Sequence, residues 1–441
     1  MGIDKSSLKN SIQYYVLVVL LYFTTFEEPL EFSALPFLYG AFNICAVSAI
    51  IFVIARSLYR LYKRRIKLQN IIAMTGAALY LASGYIGYLN NHFQSSNNTI
   101  ISMFDNMRFW LLMVFFYCVF KDFDIKRYAT RLSTHMFIIS GFFTVMVIID
   151  LIFKIWPRQI HRFGIGSLQL FYAHPTVLAA HTAFVLCVLC ALVKYNKYAI
   201  IFIPGRLITL FLTIRLRVIG LVAVTVLMIV FFVLLDQKLT LKNGAVMFLS
   251  AIAIGGKRFI RAYTSPDSLK VARGQFAHNS IKIAREYFPF GSGMGTFGSR
   301  IAQRFYSPLY YKYGMTTTLG MDPIWPAFAC DTFWPMILGE TGVIGLIGYI
   351  SMIAVLFIKV QSLRQCSVWL YIGAMTALAY EMLETTGALA FSDVTAVSLA
   401  LALGLIFAIR KDPEPDRELL QGRLKDIIIG LIQKTRTGDH E

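Results

Sequence analysis

The feature that most restricts the fold of this chain is a series of long apolar runs that contain few charges. An α-helix needs about 20 residues to cross the hydrocarbon core of a bilayer, and many of the runs approach that length. Charged residues occupy 15% of the 441 positions, compared with about 25% in soluble domains. A transmembrane β-barrel would show short segments of alternating polarity instead. The sequence therefore predicts an all-α polytopic membrane protein rather than a soluble enzyme.

About 12 transmembrane helices are expected, and the fourth and seventh runs are short for a span. The first nine, with a small outer loop at 155–174, belong to residues 1–257, and the last three belong to residues 333–409. One large extracytoplasmic loop at 258–332 separates the ninth span from the tenth. The predicted spans are 11–27, 35–56, 68–90, 107–120, 133–154, 175–194, 198–214, 217–235, 241–257, 333–358, 366–386 and 392–409.

Basic residues indicate the orientation of these spans. They cluster at 56–67 and at 121–131, in the loops after the second and fourth spans. Cytoplasmic loops carry an excess of Lys and Arg, so both loops and both chain termini are predicted to be cytoplasmic. The tail at 410–441 has apolar residues on one helical face with basic residues beside them, a pattern typical of an amphipathic helix on the membrane surface. A disordered tail is the alternative.

The net charge is +18, from 42 basic and 24 acidic residues, and the distribution of the basic residues points to an anionic ligand at the outer face of the membrane. The predicted cytoplasmic side holds 25 of the basic residues, whereas ten others fall within 257–312. Long loops can be exported despite their charge, so the preference of Lys and Arg for the cytoplasmic side permits a basic outer loop but does not explain its charge. An anionic ligand at the outer face does explain it, and nucleic acid is not expected as a partner.

Arg215 and Arg217 mark the junction between the seventh and eighth spans. Two arginines at the outer boundary can clamp a phosphate through forked hydrogen bonds. They can also be snorkelling residues that mark a helix end.

The stretch from Arg273 to Arg285 is predicted to be helical, with Phe276, Ile281 and Ile283 near one face. It leads into a glycine-rich turn at 291–295, whose backbone N–H groups can hold an anion if they are exposed. Arg273 and Arg285 are therefore candidate ligands of the same anion. A plain turn is the alternative interpretation.

A cluster of aromatic residues follows, which can stack on sugar rings or form an interfacial aromatic belt. The candidate sugar-binding residues are Tyr306, Tyr310, Tyr311, His174, Arg162 and His278.

Two carboxylates are candidates for the general base. Asp331 precedes the tenth span, and Glu340 falls inside it. A carboxylate can accept the proton of an attacking hydroxyl, and an acid within a span is a functional candidate by default. Asp331 can instead cap the helix, and Glu340 can instead pair with a buried arginine. No spacing of His, Asp, Glu or Cys matches a metal site, so neither a metal nor another cofactor is expected.

The order of these motifs resembles the O-antigen ligase and polymerase superfamily of membrane glycosyltransferases. Residues 212–217 are similar to its L-T-x-x-S-R junction, residues 273–295 to its R…P-x-x-G-x-G motif, and residues 340–345 to its E-x-G-x-x-G motif. Residues 163–175 resemble its smaller outer loop. Ligases of this family carry a His about nine residues before the Glu. This chain has Asp331 there, which favours a polymerase of the Wzy type.

The resemblance implies a metal-independent enzyme of the bacterial inner membrane with its active site facing the periplasm. Such an enzyme polymerises undecaprenyl-pyrophosphate-linked oligosaccharide repeat units into O-antigen, the outer part of lipopolysaccharide, or into capsule. Arg273 with Arg217, or less favourably Arg215, would hold the pyrophosphate. Expected partners are the lipid-linked substrates, membrane lipids, a chain-length regulator and a flippase. A ligase, a transporter with an anion-binding vestibule and a structural scaffold remain alternatives.

Overall fold

The computed structural model describes residues 5–31, 67–235 except 159 and 163, and 269–410, with isolated positions between 51 and 59 and between 240 and 249. This part of the chain is mainly helical and contains almost no strand. One two-residue hairpin pairs β1 (His161–Arg162) with β2 (Ile165–Gly166) in antiparallel register. The helices are α1 (Lys5–Glu31), α2 (Leu68–Asn91), α3 (Ser96–Phe120), α4 (Ile125–Phe153), α5 (Pro175–Val193), α6 (Ile203–Leu212), α7 (Leu216–Ile229), α8 (Ala272–Glu286), α9 (Arg300–Arg304), α10 (Pro308–Lys312), α11 (Trp334–Ser362), α12 (Val368–Glu384) and α13 (Ala396–Ile409).

Six helical segments in the described part are long and apolar enough to cross a membrane. They are α2, α3, α4, α5, α7 with its π-helical extension to Leu234, and α11 with its 3-10 extension to Gln365. Since they belong to one chain, they indicate a multi-pass membrane protein. The count of twelve spans and the side on which the large loop lies stay predictions.

Most predicted spans coincide with helices, and the clearest difference is at α3. This helix begins at Ser96, eleven residues before the predicted start, and the Ser95 hydroxyl caps it by accepting from the Asn98 N–H at 3.2 Å. Asp105, Asn106 and Arg108 are polar or charged, so the part of the helix before them does not belong to a continuous apolar run. The second span (35–56) and ninth span (241–257), the start of the large loop and the amphipathic tail lie mostly outside the described residues.

Glycines allow the helices of the bundle to approach closely. A Cβ at Gly76 of α2 would lie 2.6 Å from the Gly348 carbonyl oxygen of α11, and a Cβ at Gly348 would lie 2.5 Å from the Gly76 oxygen. The two backbones are thus in direct contact, as is common for small residues between membrane helices. Gly404 of α13 makes a similar approach to α3. These contacts align α2 with α11 and α3 with α13.

One arginine is buried inside the bundle. Arg206 of α6 has no exposed surface and donates through Nη2 to the Ser140 carbonyl, at 2.9 Å, and to the Thr144 hydroxyl, at 2.6 Å. Its guanidinium also lies over the Phe143 ring. An arginine at this depth needs such polar contacts, and here α4 supplies them.

The region from 269 to 333 folds into a compact unit with its own core. In α8, Ala272, Phe276 and Ile283 are buried with the spacing of one helical face. Ile281, which was predicted on that face, is 49% exposed. The buried apolar residues of this core are Ala272, Phe276, Ile283, Phe297, Ala302, Leu309, Tyr310, Met315, Met321 and Ala329. The described part of the predicted large loop, from 269 onward, is thus a structured platform that packs on α11.

The glycine-rich turn joins this platform to the bundle. Helix α11 is broken at Gly342, which has φ +59° and ψ −162°. The Ser292 and Gly293 N–H groups donate to the carbonyls of Gly339 and Glu340, both at 2.9 Å, and every residue from 291 to 299 is buried. The prediction of an anion site on these N–H groups is therefore not supported, because backbone carbonyls already accept from them.

Candidate functional site

A polar cavity of about 1080 Å³ lies at the end of the bundle where α3, α5, α7, α11 and α13 begin and where α12 ends. Its charged lining consists of seven arginines and five carboxylates. They are Arg108, Arg162, Arg215, Arg217, Arg273, Arg300, Arg304, Asp105, Asp331, Glu381, Glu384 and Asp393. No lysine appears among the described lining residues. Guanidinium groups bind phosphates and carboxylates bidentately, and ammonium groups do not, so this lining suits an anion with several oxygens.

Three of the arginines are held by carboxylates of other segments. Arg217 Nη1 lies 2.9 Å from the Glu384 Oε2 and also donates to the Glu384 carbonyl at 3.1 Å. Arg300 Nη2 lies 3.0 Å from Asp393 Oδ2. These pairs connect α7 with α12 and the platform with the segment before α13. They fix the shape of the cavity and leave part of each guanidinium for a ligand.

The third pair joins Arg273, at the start of α8, to Asp331. Arg273 Nε and Nη2 donate to the same carboxylate oxygen, Oδ2, at 2.9 and 2.5 Å. Nη2 also donates to the Gly387 carbonyl at 3.2 Å. The second oxygen of Asp331 makes no hydrogen bond with the described residues. Burial raises the pKa of Asp331, and the charge and hydrogen bonds of Arg273 offset part of this rise.

Arg215 is the N-cap residue of α7, and its charge has no ion-pair partner among the described residues. Its Nη2 donates instead to the His174 Nε2 at 2.6 Å. Since arginine can only donate, this nitrogen of His174 must be unprotonated. Burial lowers the pKa of His174 to about 4, and the charges of Arg215, Arg217 and Arg162 act in the same direction. His174 is therefore a neutral acceptor that orients a fully charged arginine.

Arg162 reaches the cavity from the hairpin that follows α4. The hairpin is fastened by Arg158, which lies 2.8 Å from the buried Asp150 carboxylate. The Leu168 N–H then donates to the Leu212 carbonyl at the end of α6. The predicted small outer loop is thus attached to the predicted arginine junction, and both line one site.

Glu381 has an unusual environment for a carboxylate. It is 1% exposed, lines the cavity, and neither of its oxygens has a hydrogen-bond partner among the described residues. Glu384, one turn further along α12, has the arginine partner that Glu381 does not have. A buried carboxyl group without partners is costly, and a substrate hydroxyl can supply the missing hydrogen bond.

Glu340, the second predicted base, lies away from the cavity lining. It is 1% exposed, and its Oε1 accepts from the Phe297 N–H at 3.0 Å. The backbone carbonyl of Glu340 also accepts from the Gly293 N–H of the glycine-rich turn. Glu340 therefore fastens the platform to α11. This structural role differs from both roles considered for it, a catalytic base and a partner of a buried arginine.

Several predicted ligands also lie outside the cavity lining. Tyr310 is fully buried, with its hydroxyl accepting from the Gly298 N–H at 3.0 Å and donating to the Ala329 carbonyl at 2.7 Å. The Tyr306 hydroxyl donates to the Met321 carbonyl, and Tyr311 is exposed beside the Tyr306 ring. His278 and Arg285 are on the exposed face of α8. The tyrosines thus belong mainly to the core and surface of the platform.

Sequence reasoning did not select the acidic residues Glu381, Glu384 and Asp393, nor Asp105 and Arg108. Acids near the end of an apolar run were a usable signal for Glu381 and Glu384, since charged residues in spans are rare. Their partners are distant in sequence, so the pairs were not visible.

Among the described residues, no group of three or more His, Cys, Asp or Glu side chains is placed to hold a metal ion. In comparisons with known proteins, the chain matches no family model and no curated protein.

Proposed function

We propose that this protein is a membrane glycosyltransferase that polymerises lipid-pyrophosphate-linked oligosaccharide repeat units. The observation that supports this best is the cavity at one end of the bundle, where seven arginines and five carboxylates converge. Arginines suit the pyrophosphate of a donor, and carboxylates suit the hydroxyl groups of a sugar. A single cavity with both groups fits a reaction between a pyrophosphate-linked sugar and a second sugar.

In this proposal Arg215 is the main ligand of the donor pyrophosphate. Its charge is not neutralised by a described carboxylate, and the hydrogen bond to His174 limits the positions its guanidinium can take. Arg108 also lines the cavity and has no ion-pair partner among the described residues, so it would contact the same anion. Arg217 and Arg273 would contribute from the two sides through donors that their carboxylates leave unused.

Asp331 is the proposed general base. Arg273 occupies only Oδ2, so Oδ1 is available to accept a proton from the acceptor hydroxyl. Burial raises the pKa of this carboxyl, which makes it a stronger proton acceptor than an exposed aspartate. Glu381 would accept a hydrogen bond from another hydroxyl of the acceptor sugar and so position it.

The reaction then proceeds by displacement at the anomeric carbon of the donor sugar. The acceptor hydroxyl gives its proton to Asp331 while its oxygen forms the new glycosidic bond. The bond between the anomeric carbon and the pyrophosphate oxygen breaks, and lipid pyrophosphate leaves with the electron pair. The arginines stabilise the negative charge that develops on this leaving group. Holding both lipids in one membrane plane reduces the entropic cost of their encounter.

The proposed setting is the inner membrane of a bacterium, with the cavity facing the periplasm. Cytoplasmic termini agree with the basic loops at 56–67 and 121–131, and a basic outer face suits an anionic substrate. The product would be O-antigen or capsule, and a chain-length regulator and a flippase of the same assembly would be partners.

A reconstitution experiment tests this function. Purified full-length protein in phospholipid nanodiscs is mixed with synthetic lipid-pyrophosphate-linked repeat units, and the products are separated on a gel. A ladder of increasing repeat number supports a polymerase. A single transfer that requires a lipid-core acceptor would assign a ligase instead. Absence of transfer with either acceptor, by protein that remains folded, would contradict a glycosyltransferase.

A further inference from the structure

A second cavity, of about 250 Å³, lies in the opposite half of the bundle. It lies between the first half of α2, the second half of α3 and the second half of α11. Most of its lining is apolar. The apolar lining includes Ala73 and Met74 of α2, Trp110 and Leu111 of α3, and Val355 and Leu356 of α11.

The cavity exists because α2 and α3 have different packing partners. Gly76 and Gly348 bring α2 against α11, and Gly404 brings α13 against α3. Helices α2 and α3 follow each other in sequence but contact each other little. The space between them is bounded by α11, which contributes Met352, Val355 and Leu356.

Positive charge is concentrated at one end of this cavity. Arg56 and Lys359 belong to the lining, and Lys359 Nζ donates to the Asn70 side-chain oxygen at 2.6 Å. The half-buried Arg56 has a buried Nε with no hydrogen-bond partner among the described residues. Lys67 and Arg410 are close enough to act on the charge of Lys359.

Among the described residues, the lining of this cavity offers no carboxylate to neutralise these charges. The described lining contains no Asp or Glu, and the sequence has none between Glu31 and Asp105. Lysines and arginines at span ends often reach for lipid head groups without any built site. Here, however, the two cations stand at the entrance of an apolar cavity that penetrates between helices.

We propose that this cavity binds an anionic phospholipid, with one acyl chain inside and the phosphate between Arg56 and Lys359. A free phosphate would satisfy the charges but leave the apolar cavity unfilled. A zwitterionic phospholipid would also fill the cavity, but the ammonium of its own head group offsets its phosphate and leaves the two cations less compensated. An anionic phospholipid matches both parts of the site, and the site is independent of the arginine cavity.

Native mass spectrometry of the full-length protein tests this proposal. The protein is stripped of lipid in detergent and titrated with dioleoylphosphatidylglycerol or dioleoylphosphatidylcholine. We expect one phosphatidylglycerol to be retained in preference to phosphatidylcholine. In R56Q/K359Q the affinity for phosphatidylglycerol should fall by about tenfold or more, as expected from removing two basic groups at an anionic lipid. The matched control R364Q changes a basic residue of the same region that does not line the cavity.

A second variant tests the acyl-chain part separately. Ala73→Phe fills the cavity without changing any charge, and we expect it to weaken phosphatidylglycerol binding while leaving the melting temperature nearly unchanged. Equal retention of both lipids, or unchanged binding in R56Q/K359Q and in A73F, would overturn the proposal. Displacement of the lipid by inorganic phosphate at comparable concentration would overturn it too, since it would mean an anion site alone.

Discussion

Arg273 and Asp331, 58 residues apart in sequence, meet through two hydrogen bonds to one carboxylate oxygen, at 2.9 and 2.5 Å. This geometry leaves the second oxygen of Asp331 without a bond to the described residues. The pair therefore does two things in the proposed reaction. It positions a cation beside the pyrophosphate, and it keeps one carboxylate oxygen available for a proton.

Arg273→Ala should reduce chain growth by roughly 10²–10³-fold, the usual cost of removing one donor that stabilises transition-state charge. The matched control is Arg285→Ala on the exposed face of the same helix, which should retain normal activity. Both variants are compared by initial rates of product formation and by melting temperature. Equal losses in the two variants would remove the basis for assigning Arg273 to the site.

Asp331→Asn should reduce the transfer rate by about 10²–10⁴-fold, as for loss of a general base. Donor binding should persist, because the arginines remain. Glu381→Gln should mainly raise the KM for the acceptor, since the proposed role is to position a hydroxyl. If Glu381→Gln instead abolishes kcat and Asp331→Asn does not, the two roles must be exchanged.

Gly387→Ala should disturb the site without disturbing the fold. A Cβ at this position would lie 2.8 Å from the Arg273 Cζ, so the guanidinium must shift away from its place beside Asp331. Small displacements of catalytic groups are costly, and we expect a loss of about tenfold or more in rate. A melting temperature close to that of the wild type would accompany this loss. Wild-type activity in this variant would argue against the importance of the Arg273 position.

His174 should make stability depend on pH in a narrow window. Its pKa is lowered from 6.5 to about 4 in the folded protein, so between these values the unfolded chain binds more protons. The free energy of unfolding should therefore decrease as pH falls from about 6.5 to about 4. His174→Gln should remove this part of the decrease. Thermal unfolding of both proteins across this range measures the difference, and parallel curves would contradict the assignment.

Gly342→Ala should destabilise the junction of the platform with α11. Gly342 has φ +59° and ψ −162°, which is accessible almost only to glycine. A Cβ there would also lie 2.2 Å from the Pro289 carbonyl oxygen. We expect a loss of at least about 1–3 kcal/mol from the backbone conformation alone. Gly141→Ala, where an added Cβ meets nothing within 4 Å, is the control and should not lower the melting temperature.

Sequence patterns predicted the helices well wherever the apolar run was continuous. The predicted spans 68–90 and 175–194 agree closely with α2 and α5. The sequence patterns failed at the start of α3, because Asp105, Asn106 and Arg108 interrupt the apolar run there. The polar side chain of Asn106 is paired inside the protein, because its oxygen accepts a hydrogen bond from the Ser392 hydroxyl at 2.6 Å. Hydropathy cannot distinguish such a paired residue from the edge of a span.

The site was predicted in part. Arg162, His174, Arg215, Arg217, Arg273 and Asp331 all line one cavity, although they come from five separate stretches of sequence. Glu340 lies outside this lining, and a buried acid in a span has the same sequence pattern whether it contacts substrate or backbone N–H groups. The tyrosine cluster also lies outside the lining, and its sequence pattern fits a sugar-binding surface and a small core equally. Only the packing of the platform separates these alternatives.

The central claim is that the arginine cavity binds the donor pyrophosphate, and photo-crosslinking tests it most directly. A lipid-pyrophosphate-linked sugar with a diazirine on the sugar is irradiated with the purified protein, and the modified peptides are mapped. We expect labels on the segments around Arg215, Arg273 and Asp393, and these labels should be suppressed by unlabelled lipid pyrophosphate and weakened in Arg215→Gln. Labels confined to surfaces outside the cavity, or insensitive to both the competitor and the substitution, would contradict it.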